Sequence, residues 1–318
     1  MSLKKNLLLI TAALLILLTL PLLGVWLAGH EISQYLEFPP LTRYVAHADF
    51  SWPIFIGLTV FILAVILPFE IRVFSRRGSA PPLPHAARPL PYWGWLSLVT
   101  GIVSWLLAWT RFSWFEPFQL YTFTPLWLSY IVFINALTFK RTGRCLLKNR
   151  PRFFLFLFPV SATFWWFFEY LNRFVQNWYY INEEGFTKTE YFLLATLAFS
   201  TVLPAVLSTF RLLKSIPRVG AGLDNFLPIR VKKPRLLAWT ALILSCCGLA
   251  FIGALPDYLF PLLWLAPLLI LTSLQSLMGR ETLFSPIGRG DWRRIYTLAL
   301  AALICGFFWE MWNFFSLL

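Results

Sequence analysis

Charged side chains are scarce in this chain, at 13% of its 318 residues against 58% hydrophobic. A soluble domain keeps about a quarter of its residues charged, so this composition cannot build a water-facing surface. The shortage excludes a soluble globular fold and leaves an integral membrane protein. Closed β-barrels show weak alternating segments of about ten residues. The apolar runs here are long and continuous, so the expected class is all-α, a polytopic transmembrane helical bundle.

Histidine and cysteine are nearly as rare. The three histidines (His30, His47, His85) avoid the middle of every strong apolar run, which argues against a b-type haem held by paired imidazoles. The four cysteines (Cys145, Cys246, Cys247, Cys305) show no CxxC spacing and read as small apolar residues. No metal site is expected and no cofactor is identified. A P-loop, HExxH, GxSxG and a DDxxD-type diphosphate site are all missing, which argues against ATP-driven and zinc-dependent chemistry. Serines and threonines occur within the apolar runs, but no histidine is placed to activate them.

Apolar stretches of about twenty residues are the unit of a helical membrane protein. They fall near 6–28, 52–70, 92–110, 124–139, 153–171, 190–210, 236–255, 258–278 and 295–315, which predicts about nine spans. With the N-terminus inside, 23 of 27 Lys+Arg lie on cytoplasmic segments and only Arg43, Arg111, Arg173 and Lys188 fall outside. The positive-inside rule requires such a skew. The net charge of +13 is therefore an orientation and lipid-headgroup signal, not a nucleic-acid one. Ten of 14 acidic residues, Glu31, Glu37 and Asp257 among them, lean the other way and describe an outward-facing polar region.

Lys4 and Lys5 precede a first apolar run too long for a cleaved leader, so an anchor is expected. Residues 1–76 form a two-span unit, and the proline-rich stretch 77–91 reads as an extended cytoplasmic linker. Residues 92–213 and 214–318 then read as two copies of one unit, of about four and about three spans. Trp127-Leu128 matches Trp264-Leu265, each shortly after a proline (Pro125, Pro261), and the next loops begin Gly143-Arg144 and Gly279-Arg280. Spans three to five and seven to nine would be parallel repeats, related by an axis along the membrane normal.

Spans five and nine each end in a phrase that carries a carboxylate among aromatics. Residues 164–172 read Phe-Trp-Trp-Phe-Phe-Glu-Tyr-Leu-Asn and residues 307–313 read Phe-Phe-Trp-Glu-Met-Trp-Asn. Glu169/Asn172 and Glu310/Asn313 are three apart, so each pair shares a helix face. Ionisable groups inside spans are rare and have a partner or a task. Three readings stand: headgroup contact beside an aromatic belt, an interhelical hydrogen-bond pair, or a ligand cavity. In the last, Glu169 and Glu310 are the catalytic or hydrogen-bonding candidates. Asn172, Arg173, Asn313, Trp166, Trp178, Trp309 and Trp312 are then the ligand-binding candidates. Burial would favour a protonated Glu169 and Arg173 would favour its carboxylate. Glu37, in Tyr35-Leu36-Glu37-Phe38-Pro39-Pro40, reads as a surface or re-entrant turn, and mid-span Asn135 and Gln275 as helix–helix contacts.

The stretches from Thr110-Arg111-Phe112 through Phe123-Thr124-Pro125-Leu126-Trp127-Leu128, and from Phe164 through Glu169-Tyr170-Leu171-Asn172-Arg173-Phe174-Val175-Gln176-Asn177-Trp178-Tyr179-Tyr180, resemble an uncharacterised family of bacterial polytopic integral membrane proteins. Leu36-Glu37-Phe38-Pro39-Pro40 fits the same family, and the likeness covers most of the chain. It implies a bacterial inner-membrane location, with a periplasmic C-terminus in the topology above, and supplies no activity. Members of that family continue beyond the second Glu-x-x-Asn phrase, which implies a shortened second half here. A fainter likeness to membrane carotenoid cyclases and hydratases lacks their Pro-x-Glu-Glu pattern and bears on chemistry only.

The leading expectation is a protein that binds, or binds and modifies, a lipid-soluble molecule such as an isoprenoid, quinone or lipid in an outer-leaflet cavity. A transporter or proton-coupled carrier is the second reading. A non-catalytic subunit with protein partners or a homo-oligomer is the third. Membrane lipids are the expected surroundings in each.

Overall fold

The computed structural model describes residues 3–40, 42–46, 49–79, 88–180 and 185–315. Helices lie on all nine apolar stretches: α1 (Leu3–Leu27), α2 (Trp52–Arg76), α3 (Tyr92–Trp109), α4 (Phe123–Thr142), α5 (Pro151–Val175), α6 (Lys188–Phe199), α7 (Val202–Lys214), α8 (Pro234–Ala250), α9 (Pro261–Leu277) and α10 (Arg293–Phe314). No strand occurs among the described residues. The chain is thus all-helical. Among the described residues, six spans are long and apolar enough to cross a membrane, with α6 and α7 counted together as one; α8 and α9 are shorter apolar helices. This is the make-up of a multi-pass membrane protein.

One stretch expected to be a single span, 190–210, is two helices. Pro204 cannot donate to the Ser200 carbonyl four residues back, and its ring crowds that group. The freed backbone groups find a substitute in Ser161 of α5. Its hydroxyl donates to the Phe199 carbonyl at 2.6 Å and accepts from Leu203 N–H at 3.0 Å. A side chain that repairs a broken helix is what an apolar medium demands.

The fold divides into two units that are discontinuous in sequence, and each holds pieces of segments that read as contiguous in the sequence. One unit comprises Met1–Pro53, Trp166–Tyr180 and Leu227–Gly290; the other comprises Ile54–Trp165, Ile181–Phe226 and Asp291–Leu318.

In the first unit α8 and α9 form a hairpin against which α1 packs. Gly24 makes the close approach possible, since a Cβ there would run into the Ala250 carbonyl. Small residues at such crossings let backbones meet where no hydrophobic force drives helices together. The end of α5 joins this group through Phe168, Leu171 and Phe174, which are buried with Val25, Leu249 and Leu263. Trp264 of α9 stacks on Phe168, with ring centroids 5.1 Å apart and planes 23° from parallel.

In the second unit α3 and α4 form the hairpin, and α7 lies against both α4 and α10. Buried Asn135 of α4 donates to the Ser208 hydroxyl of α7 at 2.9 Å, and its own oxygen accepts from Leu147 N–H. That is a helix–helix contact worth about 1 kcal/mol. Trp127 of α4 packs on Trp309 of α10, centroids 5.7 Å apart, and edge-on to Trp312 at 5.1 Å. The helices of Trp127 and Trp264 each stop at a left-handed glycine: Gly143 (φ 71) after α4 and Gly279 (φ 68) after α9. A side chain at either would strain that conformation.

Candidate functional site

The two Glu-x-x-Asn phrases fold into different environments. Glu169 lies in the first unit and is fully buried; Glu310 lies in the second and is exposed.

Glu169 Oε1 accepts two hydrogen bonds from neutral donors, the Trp178 indole N–H at 3.1 Å and the Tyr180 hydroxyl at 2.7 Å. Both donors sit beyond the end of α5, so the carboxylate pulls the following loop back onto its own helix. Asn172 works on the same loop. Its oxygen accepts from Asn177 N–H at 2.8 Å and Trp178 N–H at 3.3 Å, and its amide donates to the Trp178 carbonyl at 2.7 Å. The loop after α5 would otherwise present these backbone groups unsatisfied in an apolar setting. The Trp178 ring packs on Trp264, centroids 5.2 Å apart, and the Tyr170 hydroxyl donates to the Leu18 carbonyl of α1. Half-buried Trp166 meets Phe38 at 5.9 Å.

This clamp positions Arg173. The residue is buried, and its guanidinium lies 3.5 Å from the Gln34 carbonyl. It forms part of the wall of a cavity of about 300 Å³. The lining is drawn from three separated stretches: Gln34, Tyr35, Glu37, Arg43 and Val45; Arg173–Gln176; and Gly253, Pro256 and Asp257. Glu169, Asn172, Trp166 and Trp178 do not line it. They stand behind the wall and hold it.

Gln176 ties two of the three stretches together. Its side-chain oxygen accepts from Arg43 N–H at 2.9 Å, and its amide points to the Arg173 carbonyl at 3.4 Å. It does so from a left-handed backbone (φ 50) that a non-glycine residue adopts at a cost of about 1 kcal/mol or more. Tyr180 N–H donates to the Thr42 hydroxyl on the same side of the unit. Tyr35 and Phe174 stack face to face, centroids 4.5 Å apart and planes 5° from parallel. Burial pushes the Tyr35 phenol up from its ordinary value against a smaller opposing hydrogen bond from Gln34, so the hydroxyl keeps its proton at neutral pH.

In the second unit, buried Trp312 and half-buried Trp309 are core aromatics around Trp127, and Asn313 is half-buried beside them. Glu310 does not line the cavity of the first unit. Of the expected ligand residues, Arg173 alone reaches the cavity of the first unit.

Sequence reasoning did not select Arg43, Gln34, Gln176 or Asp257, and it placed Glu37 on a surface or re-entrant turn. The available signal was that their three stretches all fall in loops assigned to the outer side. Among the described residues, no group of three His, Cys, Asp or Glu could hold a metal ion. No protein-family model, curated protein or solved structure matches this chain.

Proposed function

We propose that this chain is a multi-pass membrane protein that binds the polar end of a membrane amphiphile in the cavity of its first unit, with Arg173 as the principal ligand group. The observation that carries the reading is the placement of Arg173. A buried guanidinium forms the cavity wall at the end of an apolar helix, and Glu169 and Asn172 hold the loop that frames it. Buried charge at such a position marks a ligand or ion site more often than a packing device. A volume of about 300 Å³ is at the small end for ligand sites. It suits a head group better than the body of an isoprenoid or quinone, whose chain would stay among lipid tails. Glu169 acts here as a positioning residue, and the reading is binding without a chemical step.

The contacts between loops support nine spans with the N-terminus inside. Loops assigned outside meet one another in the cavity. Loops assigned inside do the same, as when Arg72 donates to the Gly222 and Asn225 carbonyls and Arg141 to Ser215. The aromatic pairs support an internal duplication whose copies have exchanged the helices that carry the Glu-x-x-Asn phrases. Phe168 and Trp309 each precede the Glu of their phrase, and each packs on the hairpin tryptophan of the other copy, Trp264 and Trp127. The matched left-handed glycines fit the same scheme. Residence in a bacterial inner membrane belongs to this reading.

The test is native mass spectrometry of the full chain extracted with its surrounding lipid. Arg173→Gln and Arg43→Gln should each lower retained amphiphile about tenfold, the loss of one charge-assisted hydrogen bond. Arg173→Lys should restore part of it. Equal retention in all variants, at equal thermal stability, would remove the cavity as the site.

A further inference from the structure

We propose that a separate site, in the second unit, holds the phosphate of an anionic phospholipid at the membrane boundary, the cytoplasmic one in the topology above. It does not rest on the amphiphile reading of the first unit. A cavity of about 410 Å³ opens where α2 ends and the turn Pro217–Gly220 follows α7. Its lining is Arg77, Gly78, Ile216, Arg218 and Val219. The end of α2 is fixed against the loop after that turn. Arg72 donates to the Gly222 carbonyl at 3.0 Å and the Asn225 carbonyl at 3.2 Å, and Phe69 meets Phe226 edge-on, centroids 5.4 Å apart. Gly222, in a left-handed backbone (φ 74), admits the Arg76 side chain where a Cβ would collide with it.

The charge in this cavity has one sign. Its two ionisable lining groups are guanidinium groups, and no carboxylate lines it with them. The acidic side chains on the same side of this unit are Glu70, Asp224 and Asp291, and two of them are engaged elsewhere. Glu70 accepts from the Tyr296 hydroxyl at 2.8 Å, and Asp291 takes two bonds from the Arg293 guanidinium at 2.9 and 2.7 Å. Residues 80–87, which follow Arg77 and Gly78 in sequence, add no acidic side chain. Arg77 and Arg218 are exposed, so water solvates them and they require no ligand. Their effect is a local positive field at the headgroup layer, and a guanidinium fork matches phosphate oxygens. A head group that also carries an ammonium brings a like charge to the same two residues.

The adjoining surface fits the rest of a lipid. The Arg77 guanidinium lies over the Phe74 ring, 5.4 Å from its centroid. Phe74, Ile71 and Leu67 are exposed and follow one another three and four residues apart, so an apolar stripe runs down α2 from that guanidinium. Apart from Val73, no described residue of α2 is buried. Acyl chains along the stripe with a phosphate at the cavity account for both features. A free phosphate accounts only for the second.

The experiment places the full chain in nanodiscs of phosphatidylcholine doped with phosphatidylglycerol of identical acyl chains, and counts retained lipids by native mass spectrometry. Phosphatidylglycerol should be enriched, and Arg77→Gln and Arg218→Gln should each lower that enrichment about fivefold. Both positions are exposed, so the variants keep the fold, which a thermal melt checks. The control is Arg230→Gln with Lys232→Gln, which removes two exposed cations of the other unit. It should lower the enrichment less than either single variant. An equal or larger loss in the control would mean diffuse surface charge and overturn the site. Millimolar inorganic phosphate, exchanged for chloride at equal ionic strength, should leave the lipid bound; displacement would overturn a lipid as the occupant. Enrichment in Arg77→Gln and Arg218→Gln equal to the parent's would overturn the proposal outright.

Discussion

The Tyr180 hydroxyl donates to Glu169 Oε1 at 2.7 Å across eleven residues of chain, closing the loop after α5 onto the helix that precedes it. The bond joins a phenol to a fully buried carboxylate. Losing it leaves the carboxylate with less than its desolvation requires. Tyr180→Phe should therefore destabilise the protein by about 1–3 kcal/mol, read as a lower melting temperature in detergent. Retained amphiphile should fall with it, because the loop carries the cavity wall. A melting temperature unchanged from the parent would mean that Glu169 does not anchor this loop.

Two aromatic pairs hold hairpin tryptophans against the Glu-x-x-Asn helices, Trp264 with Phe168 and Trp127 with Trp309. Double-mutant cycles with leucine at both positions should give coupling energies of about 0.5–1.5 kcal/mol in each pair. The two cycles should agree in sign. Coupling near zero in either would remove the exchanged-helix arrangement for that pair.

Gly24 brings α1 onto α8 where the Ala250 carbonyl occupies the space of a Cβ. A backbone atom cannot move aside as a flexible side chain can. Gly24→Ala should cost about 1–3 kcal/mol or more by overpacking, seen as a lower melting temperature. Gly57, where an added Cβ would meet nothing within 4 Å, is the control and should tolerate alanine. Equal effects at both sites would deny the close crossing.

Orientation can be read from two exposed glycines with open space around them, Gly78 and Gly185. In intact cells, a cysteine at 185 should react with a membrane-impermeant maleimide and one at 78 should react only after permeabilisation. The four native cysteines are first replaced. The reverse pattern would invert the topology, and labelling of both would break the odd number of spans between them.

The helices were legible because their cause is local. An apolar run of about twenty residues must satisfy its backbone internally, and the nine runs all carry helices. The break between Phe199 and Val202 was signalled by Pro204 but not its repair, because Ser161 lies some forty residues away and reaches the gap only through packing. The Glu-x-x-Asn phrases show the same division within one motif. Their three-residue spacing placed Glu and Asn on one face, as helix geometry requires. Their burial depended on partners elsewhere. Glu169 is enclosed by Trp178, Tyr180 and the α1–α8–α9 group, and Glu310 is left exposed.

Composition and periodicity alone determined that this chain is helical and belongs in a membrane, because hydrophobicity and helix length are sums over neighbouring residues. The tertiary structure decided which carboxylate is buried. It also gathered Arg43, Arg173, Glu37 and Asp257 around one cavity. Those residues share no local pattern; the loop clamp after α5, with its hydrogen bonds to residues 42 and 43, and the Tyr35–Phe174 stack draw the first three towards one another.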